Sequence, residues 1–260
     1  MEATVTAVWA FVPAFAWLYF VYRKDRFEPE PFKQILKVYL AGILATVPAY
    51  FGNKYGAYLF PDASRVFGDT AGYVLLIVGP NEELWKFLAV YLVMYRHGEF
   101  DEPMDGLIYA CTAGLGFAGL ENVIYALQMG PSVVLLRSIS AVPAHFLDAA
   151  IYGYVLGLRK FGHRTIAIPL AVIVAGLVHG LYDLFALGSK FVGLWALLGL
   201  IAVVACQAFW FRRAVTRLLD LSPFRLGGAG IACTHCQGLT PGDSAFCNHC
   251  GVSLATTIPD

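Results

Sequence analysis

Two adjacent glutamates and a lysine lie in an otherwise apolar stretch of the chain, "IVGPNEELWKFLAV", residues 77–90. Lys86 follows Glu82 by four residues and Glu83 by three, so on a helix its ammonium group can reach either carboxylate. Near the centre of a membrane span each charged residue costs about 2.5 to 3.5 kcal/mol, whereas an apolar residue returns about 0.3 to 0.6. Three charged residues nearly cancel the insertion energy of this helix, which indicates that they have a function.

Three later apolar segments also carry paired polar residues, and we expect these pairs to meet Glu82 and Glu83 inside a helical bundle. The pairs are Glu121 with Asn122, His145 with Asp148, and His179 with Asp183. Five buried carboxylates cannot all ionise in a low dielectric, so some must be protonated, paired with a charged histidine, or share a cation. Taken alone, His145 or Asp148 could instead be an interhelical hydrogen-bonding residue. Arg137 is expected to snorkel towards the membrane surface.

The composition indicates a membrane protein. Of 260 residues, 58% are hydrophobic and 14% charged, against roughly 25% charged in a soluble domain. Lipid leaves unpaired backbone groups unsatisfied, so apolar runs that cross about 30 Å of hydrocarbon should be helices. We predict an all-α membrane protein with about seven transmembrane helices, at residues 3–22, 34–52, 71–95, 105–128, 132–158, 165–187 and 191–211.

Basic residues predict the orientation. With the N-terminus outside, 13 of the 18 lysines and arginines fall in inside loops and only Lys54, Arg65 and Lys190 fall outside, as the positive-inside rule requires. The C-terminus should then lie inside. At 1.5 Å per residue, the polar groups on neighbouring spans reach similar depths, so the cluster should lie in the outer half of the bilayer and open to outside water. A formal net charge of zero gives no indication of a nucleic-acid partner.

A separate module follows the membrane part. We predict a membrane domain at 1–221, a Pro/Gly-rich linker at 222–231, a zinc ribbon at 232–254 and a tail at 255–260. The spacing C-x2-C-x10-C-x2-C of Cys233, Cys236, Cys247 and Cys250 is typical of a structural Zn2+ site. Two disulfides are the alternative, which a reducing cytoplasmic location disfavours. Four thiolates leave no open position for chemistry, so we expect a docking or regulatory role with a cytosolic protein partner.

The order of the polar groups resembles the PrsW family of intramembrane proteases, distant relatives of the CAAX prenyl endopeptidases. The shared pattern is E-E-x-x-K on one span, F-x-x-x-E-N on the next, and histidine segments ending in H-x-x-x-D. "RFEPEPFKQILKVYLAG" also resembles the cytosolic loop and second helix of that family. The likeness covers most of residues 1–211 and excludes the ribbon. The matching residues are Glu82, Glu83, Lys86, Phe117, Glu121, Asn122, His145, Asp148, His179 and Asp183.

The resemblance implies a glutamic peptidase, multi-pass in the cell membrane of a prokaryote, that cleaves single-span membrane proteins such as anti-sigma-factor-like regulators. Glu82 or Glu83 would activate water as the general base, and His179 would stabilise the oxyanion or act as the acid–base partner. Peptide hydrolysis needs such a base and such a donor. Lys86 is expected to neutralise and orient a glutamate, and Asp183 to fix the imidazole ring of His179.

The other candidate catalytic residues are Glu121, Asn122, His145 and Asp148. In the CAAX enzymes an arginine one residue later usually takes the place of Lys86, and a histidine usually takes the place of Glu121. These two differences do not favour a prenylated substrate. We expect no cofactor in the catalytic site. Three alternatives stay open: a metal-dependent peptidase in which carboxylates and His145 or His179 bind Zn2+, a proton-coupled transporter, and an inactive protein that binds membrane helices.

Overall fold

The computed structural model describes residues 2–225, 231–240, 246–247 and 250–254. The membrane part is a bundle of helices. A 3-10 turn, Ala57–Leu59, follows the second helix, and a π-helical turn, Val74–Val78, joins the third helix to the fourth. The predicted tail lies outside the described residues, as do residues 226–230 of the predicted linker. The α-helices are α1 (Glu2–Tyr22), α2 (Phe32–Gly56), α3 (Phe67–Tyr73), α4 (Gly79–Val93), α5 (Pro103–Met129), α6 (Val133–Ile139), α7 (Ala141–Lys160), α8 (Ile168–Val192) and α9 (Leu194–Asp220).

The all-α membrane fold is confirmed, whereas the count of seven spans stays a prediction. Within the described residues, five helical stretches are long and apolar enough to cross a membrane, and Thr6–Tyr22 is a shorter apolar helix. The third predicted span, 71–95, is divided between α3, the π-helical turn and α4. The five long stretches are Phe32–Leu59, Pro103–Met129, Val133–Lys160, Ile168–Val192 and Leu194–Asp220.

Two predicted spans have different bounds in the structure. The fifth is interrupted at Ser140, between α6 and α7. The seventh was predicted to end at residue 211, but α9 continues to Asp220 because apolar residues keep recurring on one face. Ala214, Val215 and Leu218 on that face are buried.

Pro80 accounts for the change of helix geometry before the two glutamates. Its nitrogen carries no hydrogen, so it cannot donate to the carbonyl four residues earlier. The chain forms the π-helical turn just before this point, and α4 begins at Gly79 with Pro80 in its first turn. Glu82 therefore lies in the first turn of α4. Such π turns inside helices are frequent at functional sites.

Glycines let the helices that carry the polar pairs approach to backbone contact. On α5, a Cβ at Gly114 would lie 2.7 Å from the carbonyl oxygen of His145 on α7. On α8, a Cβ at Gly176 would lie 2.6 Å from Cα of Pro80, and one at Gly180 would collide with the carbonyl oxygen of Val74. Small residues permit this close packing of membrane helices. The glycines on either side of His179 therefore hold it against the start of α4.

Replacing Gly176 with alanine should destabilise the bundle by about 1–3 kcal/mol, because the new methyl group meets backbone that cannot rotate away. Thermal unfolding of the purified protein measures this effect. Gly68→Ala is the matched control, since a Cβ at that helical position meets no atom within 4 Å in the described part of the chain. Equal unfolding temperatures for the two variants would contradict the packing argument.

The C-terminal module contains a small antiparallel sheet. Strand β1 (Ile231–Ala232) pairs with β2 (Leu239–Thr240), with Ile231 opposite Thr240, and a further bridge joins Phe246 to Ser253. The first C-x2-C segment, Cys233 to Cys236, lies in the connection between β1 and β2.

Candidate active site

The ammonium group of Lys86 lies at the centre of the polar cluster and is fully buried. Its Nζ is 2.6 Å from Oε1 of Glu83 and 2.8 Å from Nδ1 of His145. It is also 3.5 Å from Nδ1 of His179 and 3.7 Å from Oε2 of Glu82. The prediction that residues from α4, α7 and α8 meet in the bundle is therefore confirmed. Lys86 neutralises Glu83 directly.

Glu82 and Glu83 occupy different environments. Glu83 is fully buried, and its Oε1 accepts hydrogen bonds from Lys86 and, at 2.8 Å, from Nδ1 of His179. Glu82 accepts a hydrogen bond on Oε1 from Nδ2 of Asn53 at 2.9 Å, while its Oε2 has no hydrogen-bond partner among the described residues. Glu82 is among the residues that line a cavity, whereas Glu83 lies behind it.

His179 is surrounded by carboxylates. Its Nδ1 faces Glu83 and lies 3.5 Å from Oδ2 of Asp148, and its Nε2 lies 3.5 Å from Oε2 of Glu82 and 3.5 Å from Oδ2 of Asp183. Four carboxylates this close favour the positively charged imidazolium form of His179, which donates from both ring nitrogens. Nε2 of His179 can therefore donate a hydrogen bond at the same place where Glu82 presents its unpartnered oxygen.

His145 connects Lys86 to a second carboxylate. Because Lys86 donates to Nδ1, the ring proton lies on Nε2, which donates to Oε2 of Glu121 at 2.7 Å. Glu121 also forms an ion pair with Arg137. The prediction that Arg137 snorkels to the surface is wrong, because the partly buried carboxylate of Glu121 and the amide of Asn122 hold its guanidinium group, with Nε 2.8 Å from Oδ1 of Asn122.

Two further candidates have supporting contacts. Asn122 donates from Nδ2 to the carbonyl oxygen of Ala10 at 3.3 Å, so it links Arg137 to α1, and it does not line the cavity. Asp148 accepts a hydrogen bond from Nε2 of Gln207 at 2.6 Å. Asn122 therefore lies at the edge of the cluster, and Asp148 lies directly behind His179.

The sequence argument missed three amide side chains of the site, which are those of Asn53, Asn81 and Gln207. Asn81 donates to Oδ1 of Asn53 and to the carbonyl oxygen of Ala49, each at 2.8 Å, and thereby fixes the amide that donates to Glu82. Gln207 holds Asp148. Two of the three amides could have been found from the sequence, since Asn81 directly precedes the glutamates and Gln207 interrupts a run of apolar residues in α9.

The cluster borders a cavity of about 550 Å³, a volume typical of ligand pockets. Much of its wall is apolar and comes from the parts of α5, α6, α8 and α9 nearest the turns at Gly130 and Gly193. A partner-free carboxylate oxygen and an imidazole nitrogen 3.5 Å apart at this wall can together hold a water molecule beside a bound chain. The candidate residues that line the cavity are Glu82, Glu121, His145, Asp148, His179 and Asp183.

The membrane site has some of the ligands of a catalytic zinc site but does not fit one as it stands. Oxygen and nitrogen atoms of Glu82, His145 and His179 lie within 4.8 Å of one another, and two histidines with one glutamate form a known catalytic zinc set. However, the ammonium of Lys86 lies 2.8 Å from Nδ1 of His145 and contacts the other two residues. A metal ion at this position would meet a like charge.

The four C-terminal cysteines, in contrast, fit a tetrahedral metal site. Their ligand atoms lie within 4.8 Å of one another, and the pairs Cys233–Cys250 and Cys236–Cys247 have Sγ–Sγ distances of 3.6 Å. Zn–S bonds of about 2.3 Å in a tetrahedron place sulfurs about 3.8 Å apart. Gln237 and Gly251, each directly after a second cysteine, have φ of 59° and 72°. The residue after each second cysteine thus has the left-handed backbone conformation, which glycine adopts without strain.

Replacing both Cys236 and Cys250 with serine should reduce the zinc content of the purified full chain by one ion, because two thiolates cannot close a structural zinc site. Elemental analysis measures the content. Cys206→Ser on the exposed part of α9 is the matched control and should change nothing. An unchanged zinc content in the double variant would contradict the assignment.

Comparisons with known proteins identify the family of this chain. The family model described as "PrsW family intramembrane metalloprotease" matches residues 30–211. A protein named "Protease PrsW" from Geobacillus kaustophilus (strain HTA426) is 33% identical over 180 residues, which are 68% of this chain and 78% of the relative. No solved structure matches the chain.

Two further relatives with the same name are more distant. The protein from Bacillus subtilis (strain 168) is 31% identical over 174 residues, 66% of this chain and 78% of the relative. The protein from Clostridioides difficile (strain 630) is 29% identical over 213 residues, 75% of this chain and 83% of the relative. The family model includes every polar residue of the cavity and excludes the cysteine module. The chain belongs to the PrsW family of intramembrane proteases.

Proposed function

We propose that this membrane protease is a glutamic peptidase in which Glu82 activates the attacking water. The observation that carries the proposal is the difference between the two glutamates. Each glutamate has one oxygen, Oε2, without a hydrogen-bond partner among the described residues, but only Glu82 lines the cavity, whereas Glu83 is held through its Oε1 by Lys86 and His179. A general base needs a free lone pair within reach of the water that it deprotonates.

The proposed reaction has two proton transfers. Water between Oε2 of Glu82 and Nε2 of His179 attacks the peptide carbonyl carbon, and its proton passes to Glu82. Nε2–H of His179 donates to the oxyanion of the tetrahedral intermediate. The C–N bond then breaks as Glu82 returns the proton to the leaving amine, so that the carboxyl and amino products form and the glutamate is regenerated.

Glu83 and Lys86 position these groups. Glu83 accepts from Nδ1 of His179 and so fixes the ring with Nε2 towards the cavity, as the aspartate of a catalytic triad orients its histidine. Lys86 balances the charge of Glu83 and donates to His145. Asp148 and Asp183 contact His179 from either side and increase the stability of its charged form.

The proposed substrate is a single-span membrane protein, such as an anti-sigma-factor-like regulator. The cavity borders α6, α8 and α9, and exposed apolar residues such as Leu135, Leu194 and Trp195 surround that end of the bundle. With the N-terminus outside, this end faces the extracytoplasmic side of the cell membrane and the zinc ribbon faces the cytoplasm. Cleavage is then expected near the outer end of the substrate span.

A substrate panel tests this proposal. The purified protein is reconstituted with several single-span membrane proteins, and intact-mass spectrometry locates each cut. We expect cleavage in the outer half of the span, and no cleavage of a soluble domain that carries the same peptide sequence. Equal cleavage of the soluble form, or cuts at the cytoplasmic end, would overturn the proposed substrate and orientation.

A metal-dependent peptidase is the second candidate function. The set of Glu82, His145 and His179 favours it, and so does the word "metalloprotease" in the family description. For those three residues to bind a metal ion, Lys86 would have to lose its proton or move away. A second zinc ion per chain, besides one in the cysteine module, would favour this candidate.

A further inference from the structure

A second cluster of carboxylates lies at the opposite end of the bundle from the cavity. Asp25 and Glu30 belong to the connection between α1 and α2, and Glu102 and Asp105 lie at the start of α5. All four are buried, with at most 4% of each residue exposed. The proposed reaction uses none of them.

The cluster has the dimensions of a cation site. One oxygen atom each from Asp25, Glu102 and Asp105 lie within 4.8 Å of one another. Ligand oxygens at about 2.0–2.6 Å from a shared ion lie roughly 3–5 Å apart. The carboxylate of Glu30 adjoins that of Asp105 and accepts a hydrogen bond from the hydroxyl of Tyr109.

Several of these oxygens are buried without a partner. Oδ2 of Asp105 accepts from the backbone N–H groups of Asp101 and Glu102, each at 2.8 Å, which fixes the side chain. Its Oδ1, one oxygen of Glu30 and both oxygens of Asp25 have no hydrogen-bond partner among the described residues. Buried polar atoms are normally satisfied, so unpartnered oxygens in so compact a group of carboxylates indicate a ligand.

No lysine or arginine in the described part of the chain forms an ion pair with this cluster. The ammonium group of Lys160 interacts electrostatically with Asp105 and Glu30, but its Nζ lies over the ring of Phe100 at 4.2 Å and donates to the carbonyl oxygen of His97. Three or four buried carboxylates therefore lack the counter-charge that buried charges normally have.

We propose that Asp25, Glu102 and Asp105 bind one hard divalent cation, Mg2+ or Ca2+, which ties the α1–α2 connection to the start of α5. An all-oxygen ligand set suits these ions, whereas zinc sites normally include nitrogen or sulfur ligands. This site is independent of the proposed peptidase mechanism, and its test needs no substrate.

Thermal unfolding of the full chain in detergent tests the proposal. The protein is dialysed against EDTA and then freed of chelator. It is titrated with MgCl2 or CaCl2 at constant ionic strength and at pH 8. This alkaline pH favours ionised carboxylates, because burial raises the pKa of Asp25 to about 6 and that of Glu102 to about 8. We expect one of the two salts to raise the unfolding temperature by about 5 °C or more when the cation is present at one hundred times its dissociation constant for the site.

Asp25→Asn is the decisive variant, because Asp25 has no side-chain partner to lose among the described residues and the asparagine oxygen can still accept from the nearby backbone N–H groups of Phe27 and Glu28. It should fold, be at least as stable as the wild type without cations, and lose the cation-dependent shift. Asp62→Asn, in an exposed loop, should keep the shift. Isothermal titration should give one ion per chain for the wild type and none for Asp25→Asn.

Three results would overturn the proposal. The first is a wild type that neither salt stabilises at up to 10 mM, about ten times the dissociation constant of the weakest calcium sites. The second is an equal shift in the wild type and in Asp25→Asn. The third is stabilisation by lowering the pH to 6 without any effect of cations, which would show that protons alone neutralise the cluster.

Discussion

Replacing Glu82 with glutamine is expected to lower the rate of peptide cleavage about a thousand-fold, within the range for loss of a general base. Glutamine keeps an acceptor for Asn53 but cannot take a proton from water. The unfolding temperature and the KM for substrate should change little, because Glu82 is not the main partner of Lys86. Steady-state cleavage of one reconstituted substrate measures the effect.

Glu83→Gln is the matched comparison, since it makes the same chemical change one residue away. Glu83 holds both Lys86 and His179, so this variant should lose thermal stability as well as activity. If Glu83→Gln abolished cleavage at full stability while Glu82→Gln remained active, the roles assigned to the two glutamates would be reversed.

Replacing Lys86 with methionine should destabilise the folded protein by about 3–5 kcal/mol, the usual cost of removing one partner of a buried ion pair. Methionine has a similar length but leaves the fully buried Glu83 without its counter-charge. Thermal or denaturant unfolding in detergent measures this loss. Lys54→Met, at an exposed position on α2, is the matched control and should have no comparable effect.

A double variant separates lost charge from lost packing. Combining Lys86→Met with Glu83→Gln removes both charges, so it should cost less than the sum of the single changes. Additive losses would contradict the argument that the two side chains stabilise each other as an ion pair.

The sequence predicts the polar pairs well because the energetics of the bilayer make them conspicuous. An ionisable residue in an apolar span is expensive, so Glu82, Glu83, Lys86, His145 and His179 could be identified individually and expected to face one another. Cysteine spacing likewise predicted the metal-binding geometry of the C-terminal module. Neither inference needed knowledge of how the helices cross.

Residues that act through packing or through a partner on another helix could not be predicted in this way. Glu82 and Glu83 are chemically identical, and only the position of the cavity distinguishes them. Arg137 was expected at the surface because its distance along the chain from Glu121 does not reveal their ion pair. Asn53 is an unremarkable amide near a helix end until its hydrogen bond to Glu82 is known.

Zinc content and cleavage rate, measured on one sample of the full chain, test the central claim that carboxylate chemistry without a metal ion hydrolyses the peptide. We predict one zinc ion per wild-type chain, held by the cysteine module, and none in the Cys236→Ser/Cys250→Ser variant, which should still cleave substrate. Two zinc ions per wild-type chain, with one retained in the double variant and cleavage lost when a chelator removes it, would contradict the account.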